Sequence, residues 1–207
     1  MFEGFEVLEL LLPKRCAGCG AAGEVLCSRC RTELSAPPAR LSPGTHPHVP
    51  VYACGPYAGA HRGVVLAMKE RNNLQVRSHV GAVLAAALGH LEARGEIPHA
   101  VSLVPAPTRA RSARERGGDP VEAVCRASGR PTFAVLNLSE AAADQSALGA
   151  EQRRANLAGR VRATGVPGGA LVVVDDVVTT GATLQASVEK LLALGGDPVA
   201  CLALCAA

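Results

Sequence analysis

ALVVVDDVVTTGATLQASVEKLL, residues 170–192, spells a buried strand, a polar turn and a helix. Leu171 to Val174 are apolar without alternation, the pattern of a parallel strand covered on both faces. Asp175 and Asp176 end that run and open the turn. Leu184, Val188 and Leu191 then recur at helical spacing, and Gly195-Gly196 stop the helix. In a parallel sheet, ligands bind beyond the carboxyl ends of the strands, which is where the two acids fall.

The same alternation extends in both directions along the chain. VYACGPY (51–57), AVSLVP (100–105), TFAVLNL (132–138) and PVACLAL (198–204) read as strands. VVLAMK (64–69), residues 76–93 and EQRRANLAGR (151–160) read as helices. Asp119-Pro120-Val121-Glu122 is a helix start: an Asp cap, Pro at the first position and an acid in the first turn. Strands alternating with helices predict an α/β fold, with a mostly parallel sheet flanked by helices.

Composition agrees. The chain has 207 residues, 48% apolar, with 2% aromatic residues and no Trp, so its core is aliphatic. That length suits one mid-sized domain and a small appendage. A formal net charge of +3 is too small to imply a polyanion partner, and so few aromatics offer little base-stacking surface. MFEGFEVLELLLP lacks a basic leader and carries three glutamates, so it is not a signal peptide. No run reaches the ~18 apolar residues of a membrane helix. The expectation is a soluble, cytoplasmic protein without membrane insertion.

The turn and helix start carry the chemistry. Thr179, Thr180, Gly181, Ala182 and Thr183 wrap the helix N-terminus, where free backbone N–H groups and the helix dipole favour an anion. The threonines add hydroxyl donors, and Gly181 permits close approach of a phosphate. A carboxylate beside a phosphate site needs a purpose. Vicinal sugar hydroxyls supply it, because Asp175 and Asp176 can accept from them, and one acid can hold a water of a Mg²⁺ shell. Acids for a diol beside amides for a phosphate describe a ribose 5-phosphate. The bland alternative is a βα turn with Asp and Thr as caps. The full arrangement is more specific than that, and it is neither a Walker A loop nor a dinucleotide-binding glycine motif.

A second basic stretch, VPAPTRARSARERG (104–117), runs from a strand into Arg109, Arg111, Arg114 and Arg116. Guanidinium groups suit pyrophosphate oxygens, although a solvated basic loop has the same composition.

Residues 1–34 hold Cys16-x-x-Cys19 and Cys27-x-x-Cys30, separated by seven residues. Paired CxxC units close a tetrahedral four-thiolate site for structural Zn²⁺ in a zinc-ribbon-like module. A redox CxxC needs one exposed pair and no second pair. Val25 and Leu26 are too few to fold the module alone, so metal would supply much of its folding energy. Residues 35–50, SAPPARLSPGTHPHVP, have linker composition. His46 and His48 lie there, but four cysteines complete the site without them. Residues 51–207 form the α/β domain.

Residues 172–183 resemble the phosphoribosyl pyrophosphate (PRPP) motif of type I phosphoribosyltransferases. Four further features extend the likeness to the ComF/GntX-like family: the four-cysteine module, Tyr57-x-Gly59 followed by Lys69, VPAPTRARSARERG, and Gln145-Ser146 with Arg153 and Asn156 downstream. By that resemblance Asp175 and Asp176 hold the ribose hydroxyls, and residues 179–183 hold the 5-phosphate. Pro105, Ala106 and Pro107 match the pyrophosphate loop, Arg114 and Arg116 the flexible catalytic segment, and Lys69 the upstream basic residue. Gln145, Arg153 and Asn156 match a mobile stretch, although surface Lys and turn or cap Gln and Asn are also ordinary. The implied activity is transfer of a phosphoribosyl group from PRPP–Mg²⁺ to an unidentified acceptor with release of pyrophosphate.

The family's Arg-Gly-Phe-Asn-Gln here reads Arg116-Gly117-Gly118-Asp119-Pro120. That departure leaves open a non-catalytic, PRPP-dependent regulatory protein. Some family members are linked to DNA uptake during natural competence, which implies single-stranded DNA or the DNA-uptake machinery as partners.

Overall fold

The computed structural model describes residues 14–71, 73–108, 118–139 and 160–207. Five strands form the main sheet: β1 (Ala39–Leu41), β2 (Val51–Ala53), β3 (Ser102–Pro105), β6 (Ala170–Val178) and β7 (Asp197–Ala206). Their order is β1-β2-β7-β6-β3. All neighbours are parallel except the edge strand β1, which pairs antiparallel with β2. A separate antiparallel ribbon joins β4 (Leu136–Leu138) to β5 (Val161–Ala163). The helices are α1 (Ser28–Leu34), α2 (Gly59–Lys69), α3 (Val76–Ala93), α4 (Pro120–Ala127) and α5 (Ala182–Leu192). The expected α/β architecture with a mostly parallel sheet is therefore present. No helix among the described residues is long and apolar enough to cross a membrane.

β6 is the axis of the core. Its alternate residues face opposite sides, and both sides are covered. Val172 and Val174 pack with Val64 and Met68 of α2, Leu84 and Leu88 of α3, and Val124 of α4. Leu171 and Val173 pack with Leu184, Val188 and Leu191 of α5 and with the β4–β5 ribbon. This explains why the strand is apolar without alternation.

Two local expectations change. The strand does not turn at Asp175. It continues through Val178, because Val177 and Val178 pair with Cys205 and Ala206 of β7. Residues 35–50 also do more than connect. Ala39, Arg40 and Leu41 pair with Ala53, Tyr52 and Val51, so this stretch supplies the sheet's edge.

The cysteine segment is bolted to α2. Cys16, Ala17, Leu26, Cys30 and Leu34 belong to the same buried cluster as Ala60 and Val64. Ala58 gives α2 no side-chain cap. Instead, Glu33 Oε1 of α1 accepts the Ala60 N–H at 2.7 Å. Gly63 faces the Gly18 carbonyl so closely that a Cβ there would collide with it. Arg71 donates to the Ala17 carbonyl at 3.2 Å and to Gly63 O at 2.9 Å. The module thus fixes the rotation and height of the helix that ends at Lys69.

Candidate functional site

The Thr-rich turn starts α5 in an unusual way. Gly181 occupies the N-cap position at φ +83°, a left-handed conformation that glycine adopts without Cβ strain, and the helix has no side-chain cap. Gln185 N–H to Gly181 O is the first full turn of hydrogen bonding, at 2.9 Å. The Ala182 amide has a long contact of 3.4 Å to Thr180 Oγ1. The start of α5 therefore presents backbone donors of the kind that bind anions. Thr179 and Thr180 are exposed, and Thr183 is half-buried.

The acids stand beside this turn, still within β6. Strand alternation sends them to opposite faces. Asp176 points to the α2 side, where Lys69 Nζ lies 2.6 Å from its Oδ2. Lys69 is the last residue of α2, and its ion pair joins two predicted site residues that are far apart in sequence. Asp175 lies on the α5 face, and its Oδ1 accepts the Asp176 N–H at 2.8 Å. Burial first, and the neighbouring Asp176 charge second, raise the Asp175 carboxyl to about 7. Ordinary folding gives no reason to keep an acid where ionisation is costly, whereas binding sites collect such groups.

β3 delivers the next segment to the same edge. Pro105 lies beside Val174, and Ala106 N–H donates to Val174 O at 2.7 Å. Pro105, Ala106 and Pro107 are buried and leave the sheet one step from Asp175. Arg109, Arg111, Arg114, Arg116, Gln145, Arg153 and Asn156 lie outside the described residues. Asp119 has a local structural duty: its Oδ1 accepts from Val121 N at 2.8 Å and Glu122 N at 3.1 Å, capping α4, with Pro120 in the first turn. Asp and Asn are about equally good caps, and Pro suits the first helical position. Residues 119–120 therefore make a helix start.

The linker contributes a feature that composition concealed. Segment 42–50 crosses the Thr-rich turn. A Cβ on Gly181 would lie 2.8 Å from Thr45 Oγ1 and 2.9 Å from Pro43 Cβ. Nothing local in Gly44-Thr45-His46-Pro47 signals this contact, which joins segments far apart in sequence. His48 pairs with Glu189 of α5 at 3.4 Å.

The four cysteines converge as predicted. The Sγ atoms of Cys16, Cys19, Cys27 and Cys30 all lie within 4.8 Å of one another. Cys19 and Cys27 sulfurs are 3.7 Å apart. Zn–S bonds of about 2.3 Å put tetrahedral sulfurs about 3.8 Å apart, so the donor set fits a structural zinc ion. Burial raises the Cys16 thiol, but backbone donors from Cys27, Cys19 and Gly18 outweigh it and bring it to about 6. Burial and the surrounding thiols push Cys30 up. A bound cation would relieve that conflict by holding all four as thiolates.

No protein-family model matches the chain, and no curated protein matches it.

Two outcomes follow. Metal analysis should return about one zinc per chain; Cys30→Ser should lose it and melt at a lower temperature, and full zinc content in that variant would contradict the assignment. The raised Asp175 carboxyl binds more protons folded than unfolded, so its contribution to stability is complete below the unfolded value and is lost as pH rises through about 7. Asp175→Asn should therefore raise the melting temperature at pH 8 and leave it near wild type at pH 4. An equal change at both pH values would contradict a raised Asp175 carboxyl.

Proposed function

We propose that the chain binds PRPP and belongs, by the character of its site, with phosphoribosyltransferase-type proteins of the ComF-like kind. The observation that carries this reading is the juxtaposition at one sheet edge of two acids and an uncapped, threonine-rich helix start. The Lys69–Asp176 pair and the Pro105–Pro107 segment flank them.

The parts divide the ligand between them. The amides and hydroxyls of residues 179–183 take the 5-phosphate. Asp176 accepts from the ribose hydroxyls, with Lys69 holding its carboxylate in place. Asp175, on the other face of the strand, serves the same sugar from the α5 side. Pro105 to Pro107 border the pyrophosphate, and Arg114 and Arg116 would meet its charge. Bound with the substrate, Mg²⁺ supplies neutralisation of the leaving pyrophosphate. Transfer consists of loosening the bond from ribose C1 to pyrophosphate while the sugar is held still, followed by attack of an acceptor nitrogen. Positioning and charge stabilisation suffice for such a step, and no general base need be assigned.

A second reading keeps the sugar site and drops the transfer. It rests on Gly117-Gly118, which stand where the family pattern has an aromatic residue at its second position. The resemblance also carries a link to DNA uptake; the described site has no aromatic platform for single strands, so that link would act through a protein partner.

Calorimetry with PRPP and Mg²⁺ tests the shared site. Wild type should bind, and Asp176→Ala should bind about 100-fold more weakly, the size of a lost charged hydrogen-bonding group. Equal affinity of the two proteins would overturn the site. Pyrophosphate release across a panel of nitrogenous bases then separates the readings: release with one acceptor supports transfer, and binding without release supports the regulatory protein.

A further inference from the structure

Thr45 is anomalous. Its residue is 5% exposed, and its Oγ1 is buried without a hydrogen-bond partner. A buried hydroxyl left unpaired costs folding free energy, and natural structures keep few of them. Its neighbours do not explain it as core. Pro43, Gly44 and Pro47 around it shape a loop, not an apolar layer, and valine would fill the same volume without the polar atom. What Thr45 does touch is the start of α5. Its Oγ1 lies against Gly181, 2.8 Å from the place a Cβ would occupy, and Gly44 approaches the Thr180 carbonyl. Gly181 is the one buried residue in the Thr179-Thr180-Gly181 turn, and segment 42–50 is what buries it.

We propose that Thr45 is a ligand-binding residue whose hydroxyl donates to the phosphate monoester held at the N-terminus of α5. This assignment rests on the phosphosugar reading of residues 179–183. Two independent features meet at this point: an uncapped helix start with a left-handed glycine, and a buried hydroxyl from a distant segment without a partner. Each needs what the other lacks. The helix start wants an anion, and an anion's oxygen gives the hydroxyl its acceptor. Segment 42–50 is then a strap that completes the phosphate cradle from the side opposite β3. Gly181 is required twice over, for its backbone conformation and because a side chain would displace Thr45 and Pro43.

The ligand class that Thr45 recognises is a terminal phosphate monoester, so the probes are ribose 5-phosphate and unphosphorylated ribose. Titration calorimetry should show ribose 5-phosphate binding to wild type more tightly than ribose does. Thr45→Val should weaken ribose 5-phosphate about tenfold, the worth of one hydrogen bond to a charged group. Thr45→Ser, which keeps the hydroxyl, should stay within about threefold of wild type. The free proteins supply a readout that a merely structural threonine would not give: Thr45→Val should melt at or above wild type, since it removes an unsatisfied buried hydroxyl. A variant more stable without ligand and weaker with it is the expected signature. Wild-type-like affinity in Thr45→Val, or equal losses in the Val and Ser variants, would overturn the role of Thr45 while leaving the phosphate loop intact. Failure of wild type itself to prefer ribose 5-phosphate would overturn the phosphosugar reading, and Thr45 with it.

Discussion

Two carboxylates in succession interrupt the apolar run of β6, and Lys69 reaches the second of them at 2.6 Å. Much of the architecture can be traced to that requirement. A strand covered on both faces must keep its acids toward its carboxyl end, where one can meet a cation. Lys69 arrives because α2 ends there, and α2 is set by contacts along its length. Glu33 caps it from α1, Gly63 lies flat on the Gly18 carbonyl, and Arg71 ties its tail to Ala17. The four-cysteine module is thereby mechanically continuous with the acid pair. A structural metal ion in that module would stabilise the position of Lys69 as well as the module itself.

What could be read in the sequence is what short-range physics controls. β6 and α5 were legible because an unbroken apolar run and a helical repeat sit side by side, and Asp119-Pro120 because capping is decided within a few residues. The cysteine tetrad was legible because metal geometry dictates its spacing. The misreadings all involve partners distant in sequence. β6 runs past the acids because β7 is long enough to pair with Val177 and Val178. Residues 39–41 become a strand because β2 offers an open edge. Thr45 reaches Gly181 across 136 positions of sequence, in a stretch whose Gly and Pro content signals a connector.

The site's two halves differ in how well the chain defines them. The half made by the acids and the Thr-rich turn is built from regular structure, since β6, α5 and α2 hold its groups in fixed relation, as precise binding requires. The other half is anchored by Pro105 to Pro107 on one side and by the capped start of α4 on the other. Asp119 spends its carboxylate on two α4 amides. Asp119 and Pro120 thus serve as a helix start.

The most direct measurement is a crystal structure of the full chain with PRPP and Mg²⁺. The phosphosugar assignment predicts the 5-phosphate at the amides of Thr180 to Thr183, the ribose hydroxyls against Asp176, and the pyrophosphate along Pro105 to Pro107. Density for the ligand elsewhere, with the start of α5 holding no phosphate at saturating PRPP, would contradict it.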